Sequence, residues 1–322
     1  MDQTPGSDAC ERQVSKAGIR VIGWKGTLPM ETMPKKISLV TRWGMYGSLI
    51  KSLQTGLLLV TGLAGYMSAR CPTHAGGTLL AVAGSLFLAI SGSTVLNMVY
   101  DRDIDALMNR SCRRPLPSGR LSAREALRFG MLLSAAGLGW AFAMDVLYGV
   151  VVFTGWFFDV IVYTIALKRR TPWSMVWGGV AGGMPILAGR VLGTGAIDWI
   201  GLVLTLAITL WIPTHMLTFG MKHAEEYRKA GVPIFPNAYG EWITRIAIAL
   251  STAAAAVAML FATWQIGLPW RYLHLALGLS AVLFVFTAAS VIHRSPRLNF
   301  GLYKFASLYM LGSMLLIVLG VL

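Results

Sequence analysis

The sequence predicts an all-α, polytopic membrane protein in which nine transmembrane helices form a bundle around a central cavity. Apolar residues make up 55% of the 322 residues and charged residues only 13%, about half the charged share that is usual in soluble domains. Several apolar runs reach the ~20 residues that a helix needs to cross a bilayer. Such runs are expected to be helical because lipid offers the backbone no hydrogen bonds. A third observation is that most basic residues lie on one side of the predicted membrane.

Nine apolar runs are the predicted spans. They lie near residues 47–68, 78–99, 125–144, 146–167, 174–192, 199–220, 242–266, 272–292 and 302–321. The fifth run, SMVWGGVAGGMPILAGRVL, is rich in glycine, which favours close helix packing over contact with lipid. Residues 46–322 are therefore expected to form one membrane domain. Residues 1–45 are polar, and we expect a disordered or interfacial cytoplasmic extension without the apolar stretch of a signal peptide.

The net charge of +14 does not indicate a nucleic-acid partner, because the basic residues are distributed according to the predicted membrane boundaries. Of the 28 lysines and arginines, only Arg70, Arg190 and Arg271 fall outside the N-terminal segment and the boundaries after spans two, four, six and eight. This positive-inside distribution predicts a cytoplasmic N-terminus and an outer C-terminus in the plasma membrane. Membrane lipid is an expected partner, and nucleic acid is not.

A polar cluster begins where the second span ends, in LNMVYDRDIDALMNRSCRRPLPSGRLS. Asn97, Asp101 and Asp105 are spaced by four, which stacks side chains on one face of a helix. Asp103 points elsewhere on such a helix and is expected to be a solvated neighbour. Because stacked carboxylates repel each other, they favour a bound Mg²⁺, which prefers one or two carboxylates with phosphate oxygens and water. The alternative is an ordinary helix end with solvated charges.

Arginines crowd the loop that follows this cluster. Arg110, Arg113, Arg114 and Arg120 lie within RSCRRPLPSGR, and the planar guanidinium group binds phosphate oxygens well. The positive-inside rule also explains these arginines without a ligand. Together with the carboxylates they indicate a site for Mg²⁺ and a lipid diphosphate at the mouth of a membrane-buried cavity.

A second charged boundary follows the sixth span, in HMLTFGMKHAEEYRKAGVPIFP. It holds two carboxylates, Glu225 and Glu226. The basic and titratable neighbours of these carboxylates are Lys222, His223, Arg228 and Lys229. Carboxylates after spans two and six indicate two related halves of four helices each, with a site between the halves, as in many membrane proteins built from internal repeats.

Three stretches resemble the UbiA intramembrane prenyltransferases. NMVYDRDIDALMNRSCRRPLPSGRLS is similar to the N-x-x-x-D-x-x-x-D motif of that superfamily. YTIALKRRTPWSMVWGGVAGGMPILAG and WIPTHMLTFGMKHAEEYRKAGVPIFP, which start at Tyr163 and Trp211, resemble the branch that farnesylates protohaem. The resemblance covers roughly residues 47–322. Two departures concern the acceptor: the branch usually reads W-Q-x-P-H-F where this chain reads WIPTHM, and it usually has Asp at the position of Glu226.

The resemblance implies a set of site residues. Asn97, Asp101 and Asp105 would hold one Mg²⁺, and Glu226 would help to hold a second. The implied diphosphate contacts are Arg114, Lys168, Arg169 and Lys51. For Lys51, an anchor at the membrane interface is the alternative. Asp101, Asp105 and Lys168 are the implied catalytic residues.

Three polar side chains within the predicted spans are possible acceptor contacts. Tyr163 could face an allylic cation through its ring. Asp159 is an acid inside a span and therefore a functional candidate, with a structural hydrogen bond between helices as the alternative. His215 could contact the iron or a propionate of haem, or act as a general base; the alternative is a hydrogen-bonded histidine in the helix packing.

The implied reaction transfers a farnesyl group from farnesyl diphosphate to the vinyl group of protohaem IX, which gives haem O. Mg²⁺ would be the cofactor, and haem a substrate. Two alternatives stay open. One is a UbiA-type prenyltransferase that acts on a quinone precursor or a lipid acceptor. The other, from a different class, is a cation-coupled transporter, although transporter sites tend to lie near the bilayer midplane and these carboxylates lie at one face.

Overall fold

A computed structural model describes residues 39–70 and 76–322, and within these ranges the chain is helical between short turns and contains no strand. In chain order the helices are α1 (Leu39–Leu49), α2 (Ser52–Ser68), α3 (Gly76–Tyr100), α4 (Arg102–Ala106), α5 (Ala123–Met144), α6 (Val146–Phe157), α7 (Ser174–Thr194), α8 (Trp199–Lys222), α9 (Ala224–Lys229), α10 (Phe235–Ile266), α11 (Trp270–Ile292) and α12 (Pro296–Val321). A π-helical segment, Phe158–Leu167, continues α6.

The predicted fold class is confirmed, and the prediction of nine spans is close to the count in the structure. Among the described residues, eight helices are long and apolar enough to cross a membrane, with α6 and its π segment counted as one. A ninth span is formed if α1 and α2, which meet at an angle of 54°, are taken together. Most of the predicted N-terminal extension, residues 1–38, lies outside the described residues, and its last residues form the start of α1.

The bend between α1 and α2 lies at Ile50 and Lys51. Lys51 has a φ of 49° and a ψ of 60°, a left-handed conformation that is uncommon for residues other than glycine. The hydroxyl of Thr55 donates a hydrogen bond of 2.7 Å to the carbonyl of Ile50, which gives this interrupted backbone a partner inside the bundle. The bend places Lys51 in a half-buried position.

Glycines bring α2 and α7 into direct backbone contact. A Cβ atom on Gly65 would lie 2.1 Å from the carbonyl oxygen of Ile186, and one on Gly189 would lie 1.9 Å from that of Gly62. Of the eight long spans, α7 is the most enclosed, with 56% of its apolar window buried inside the protein. The glycine-rich fifth run therefore packs against a neighbouring helix, as its composition predicts.

The π segment after α6 has wider turns than an α-helix. The backbone N–H of Lys168 donates to the carbonyl of Tyr163 at 2.8 Å, five residues earlier. The hydroxyl of Thr164 donates to the carbonyl of Asp159 at 2.8 Å, which satisfies a backbone group that the wider winding affects. Short π-helical insertions are rare and frequently occur at functional sites. This one orients Asp159, Tyr163 and Lys168.

The largest apolar core lies among α8, α10 and α12. Leu204, Ile208, Met259 and Met314 are almost completely buried there. Large apolar side chains elsewhere on the long helices, such as Phe284, are exposed, as expected for surfaces that face lipid. The charged loops and short helices α4 and α9 meet at one end of the bundle, where the candidate site lies.

Candidate active site

An ion pair joins the first charged boundary to the end of the π segment. The carboxylate Oδ2 of Asp101 accepts a hydrogen bond from the ammonium of Lys168. Asp101 is only 5% exposed. Its other oxygen, Oδ1, is buried and has no hydrogen-bond partner among the described residues. A buried, unpartnered carboxylate oxygen is costly, and its presence here indicates a ligand.

A second ion pair lies one helical turn further along the chain. Asp105 is buried, and its Oδ2 accepts a hydrogen bond of 3.0 Å from Nη1 of Arg114. Lys51, at the bend between α1 and α2, lies close enough to these groups to experience the charges of Arg114, Lys168, Asp105 and Asp101. The cluster therefore combines three cations with two carboxylates in a partly buried place.

Asp103, between the two buried aspartates, points in another direction. Arg169 binds it with both arms of its guanidinium, at 2.6 and 2.7 Å, and also donates to the carbonyl of Tyr100 at 2.6 Å. Burial alone would raise the pKa of Asp103, but the hydrogen bonds and charge of Arg169 outweigh it and hold that pKa below its usual range. Asp103 thus points elsewhere as predicted but is paired with Arg169 and not simply solvated. Arg169 remains a predicted diphosphate contact, now with a carboxylate partner of its own.

The amide of Asn97 links α3 to the π segment. Its Nδ2 donates to Oδ2 of Asp159 at 3.0 Å, and its Oδ1 accepts from the hydroxyl of Thr164 at 2.7 Å. The structure therefore places Asn97 and Asp159 side by side, one turn away from Asp101. In this arrangement Asn97 holds the two helices together. Thr164 could not have been identified from the sequence, since a threonine in an apolar run carries no functional signal.

The second boundary faces the first through Glu226. Its Oε1 lies 3.1 Å from Nδ1 of His223, and its Oε2 lies 3.5 Å from the backbone nitrogen of Arg110 and 3.9 Å from the Nε of that residue. Arg110 also donates to the hydroxyl of Tyr227 at 3.0 Å. Glu225, in contrast, is exposed and pairs with Arg228. The prediction that both charged boundaries meet therefore agrees with the contacts of Glu226 and Arg110.

The carboxylates of the two boundaries do not gather into one closed metal site. Among the residues that the structure describes, no three acidic, histidine or cysteine side chains come close enough together to hold a metal ion between them. A Mg²⁺ at Asp101 and Asp105, as predicted, would therefore have to complete its shell with phosphate oxygens and water. The assignment of Asn97 and Glu226 to metal binding remains a prediction.

A cavity opens between the π segment, α8, α9 and the start of α10. It contains about 470 Å³ of empty space, counting its open mouth. The lining is mostly apolar and includes Tyr163, Lys168, Met216, Phe219, Tyr227 and Phe235. The ammonium of Lys168 lies 5.5 Å from the centre of the Tyr163 ring. One cation of the charged cluster therefore forms part of the wall of an otherwise apolar cavity.

His215 lies one turn before Phe219 on α8. Its ring is stacked between those of Trp211, at 5.2 Å, and Tyr303, at 4.5 Å, and its Nδ1 lies 3.2 Å from the hydroxyl of Ser307. Tyr303 and Ser307 belong to α12 and were not among the predicted site residues. They contribute only one ring and one hydroxyl to a strongly apolar helix, so the sequence offers no pattern that would identify them.

Comparison with known proteins gives consistent matches over most of the chain. The model of the UbiA prenyltransferase family matches residues 58–310. Protoheme IX farnesyltransferase of Archaeoglobus fulgidus is 40% identical over 266 residues, which cover 83% of this chain and 92% of that protein. The protein of the same name from Thermofilum pendens is 43% identical over 215 residues, or 66% of this chain and 74% of that protein.

Solved structures share the fold at lower identity. A digeranylgeranylglyceryl phosphate synthase has a TM-score of 0.72 and 20% identity, and the match covers 87% of this chain and 99% of that one. A UbiA homologue from Archaeoglobus fulgidus, bound to GPP and Mg²⁺, has a TM-score of 0.65 and 16% identity over 85% of this chain and 99% of that one. The family model covers well over half of the sequence, and the chain belongs to the UbiA prenyltransferase family.

Proposed function

We propose that this protein transfers the farnesyl group of farnesyl diphosphate to a vinyl group of protohaem IX, producing haem O and inorganic diphosphate. The observation that carries the proposed chemistry is the charged cluster at the wall of an apolar cavity, in which Lys168 and Arg114 pair with the buried Asp101 and Asp105. The choice of acceptor is supported by relatives named protoheme IX farnesyltransferase, one of them 40% identical over 83% of this chain.

The cluster supplies what a diphosphate requires. Lys168, Arg114 and Lys51 offer cationic donors, and the arginine fork suits phosphate oxygens. The unpartnered Oδ1 of Asp101 and the carboxylate of Asp105 fit a Mg²⁺ shared with the diphosphate. A UbiA homologue of the same fold is bound to GPP and Mg²⁺, which supports this pairing. When bound there, Mg²⁺ would neutralise negative charge on the leaving group.

The first chemical step breaks the bond between C1 of the farnesyl chain and the diphosphate oxygen. The diphosphate leaves with the bonding electrons, and positive charge spreads over the allylic carbons. Lys168 and Arg114 stabilise the growing negative charge because they are already in place before the reaction begins. The ring of Tyr163 lies beside Lys168 on the cavity wall, where its π-face can stabilise the allylic cation.

The vinyl group then attacks C1, and its π electrons form the new carbon–carbon bond. The resulting cation on the carbon next to the porphyrin is captured by water, which forms a hydroxyl group and releases one proton to solvent. The apolar part of the cavity, with Met216, Phe219 and Phe235 in its wall, keeps water away from the allylic cation before this capture. A role for His215 or Asp159 near the acceptor remains a prediction from the sequence.

In this proposal the protein lies in the plasma membrane, with the charged cluster at the cytoplasmic face. The loops that carry the cluster lie on the side that holds 25 of the 28 lysines and arginines when the N-terminal segment is included, and the positive-inside rule assigns that side to the cytoplasm. An outer C-terminus follows from nine spans. The test adds a protease to intact cells that carry a C-terminal tag on this protein. Removal of the tag supports an outer C-terminus, and protection of the tag contradicts it.

The proposed reaction is tested with purified protein in detergent, farnesyl diphosphate, protohaem and Mg²⁺. Mass spectrometry of the extracted haem should show the mass of haem O, and the product should disappear with Asp101→Asn. Glu225→Gln is the matched control, because Glu225 is exposed and, among the described residues, pairs with Arg228 alone, and it should retain activity. If the unaltered protein forms no prenylated haem under these conditions, the proposed acceptor is wrong. Release of diphosphate with a quinone precursor or a lipid acceptor would then identify the alternative.

A further inference from the structure

A continuous row of aromatic rings runs along the facing sides of α8 and α12. The ring of Tyr303 lies 4.5 Å from that of His215 and 5.9 Å from that of Phe300, and the planes of Tyr303 and Phe300 differ by only 9°. Phe219 lies 5.7 Å from Tyr303 and also lines the cavity. The row therefore extends from the cytoplasmic end of α12 to the wall of the cavity.

The ammonium groups of two lysines lie close to the ring at the cytoplasmic end of this row. The ammonium of Lys222 lies 3.6 Å from the centre of the Phe300 ring, and that of Lys304 lies 4.8 Å from the same centre. Both lysines are exposed. Neither has a carboxylate within 4.0 Å among the described residues. Two cations thus converge on one ring without an anionic partner in this part of the chain.

This combination suits a flat aromatic ligand that carries two carboxylates at one edge. Two like charges near one ring repel each other, and a cation–π contact at an exposed site contributes only about 0.5–1 kcal/mol. A pair of carboxylates would relieve that repulsion with charge-assisted hydrogen bonds, which are stronger than neutral ones. Because the rings of the row stack on one another, it is their edges that can pack against the face of a macrocycle.

We propose that Lys222 and Lys304 bind the two propionates of the porphyrin acceptor, with the ring edges of Phe300, Tyr303 and His215 packing against the macrocycle. This inference rests on the proposed function. In protohaem the propionates and the vinyl groups occupy opposite edges of the ring. A porphyrin anchored by its propionates at Phe300 therefore directs its vinyl edge along Phe219, toward the cavity.

The test compares protohaem with its dimethyl ester, in which both propionate charges are removed. With the unaltered protein, the KM for protohaem should be about tenfold lower than that for the diester, which corresponds to about 1.4 kcal/mol. In a variant carrying Lys222→Gln and Lys304→Gln, the KM for protohaem should rise about tenfold, while that for the diester stays the same. The KM for farnesyl diphosphate and the kcat should not change, which also shows that the variant is folded.

Lys229→Gln is the control, since Lys229 is an exposed lysine on the nearby α9 that stands over no aromatic ring among the described residues. Its KM for protohaem should equal that of the unaltered protein. An unchanged KM for protohaem in the double variant overturns the inference and leaves the two lysines as anchors to anionic lipid. If the unaltered protein shows no activity toward either porphyrin, the proposed function itself is contradicted.

Discussion

Replacing Lys168 with methionine should have separate effects on stability and on activity. Lys168→Met keeps a long side chain but removes the ammonium that donates a hydrogen bond to Asp101. Asp101 is 5% exposed, and its Oδ1 already lacks a partner among the described residues. In the variant both oxygens of this carboxylate would be buried without a donor from Lys168.

The expected loss of stability follows from the burial of this pair. Removing one partner of a buried ion pair typically costs about 3–5 kcal/mol, because the other charge stays buried without compensation. Replacing both partners with neutral groups is often close to neutral. The double variant Lys168→Met with Asp101→Asn should therefore recover most of the lost stability.

Activity should not recover with stability. If Lys168 stabilises the departing diphosphate, its loss removes one preorganised electrostatic contact, which typically lowers kcat by about 10²–10³-fold. Lys168→Met should show this loss, and the double variant should form no product because it also lacks the carboxylate of Asp101. Unfolding in detergent micelles, followed by tryptophan fluorescence, measures stability, and formation of prenylated haem measures activity. Lys229→Met, at an exposed position, should change neither quantity.

Two results would refute this reasoning. If the double variant is as unstable as Lys168→Met, the destabilisation comes from the packing of the lysine stem and not from the stranded charge of Asp101. If Lys168→Met keeps the kcat of the unaltered protein, Lys168 only supports the structure, and the diphosphate must be bound by other cations of the cluster, with Arg114 the first to test.

Two further predictions concern the framework around the site. Gly65→Val should destabilise the protein strongly because its Cβ would lie 2.1 Å from the carbonyl oxygen of Ile186, whereas Gly56→Ala, with no atom within 4 Å, should have little effect on the melting temperature. Asp103→Asn should reduce stability near pH 7, because the pKa of Asp103 is lowered by Arg169 and its stabilising contribution is present above the ordinary value of 3.8. That contribution is lost as the pH falls through the lowered pKa, so the melting temperatures of the variant and the unaltered protein should converge in acid; a constant difference would contradict the assignment.

The sequence was sufficient to predict the membrane architecture because its determinants are local. The length and hydropathy of each run decide whether it can span the bilayer, and the glycines of the fifth run already indicate close packing against another helix. The clustering of Asp101, Asp105 and the nearby arginines was also visible, since polar groups at the end of an apolar run require a reason to be there. These features depend on residues that are neighbours in the chain.

The partners of the site residues could not be predicted in the same way. Spacing by four places Asn97 on the same helix face as Asp101, but it gives no sign that its amide binds Asp159 and Thr164, which arrive from a different helix. Arg169 gave no sign that it would bind Asp103 across the bundle. Such contacts depend on how distant helices are rotated against each other, and no single run of residues encodes that rotation.

The π-helical winding of Phe158–Leu167 limits how far the length of this segment can vary among natural variants. Each helical residue advances the chain by roughly 100° around the axis, so a one-residue deletion that left the winding otherwise unchanged would turn Lys168 away from Asp101. We expect alignments of functional orthologues to contain no gaps between Asp159 and Lys168, even where the apolar residues between them differ freely.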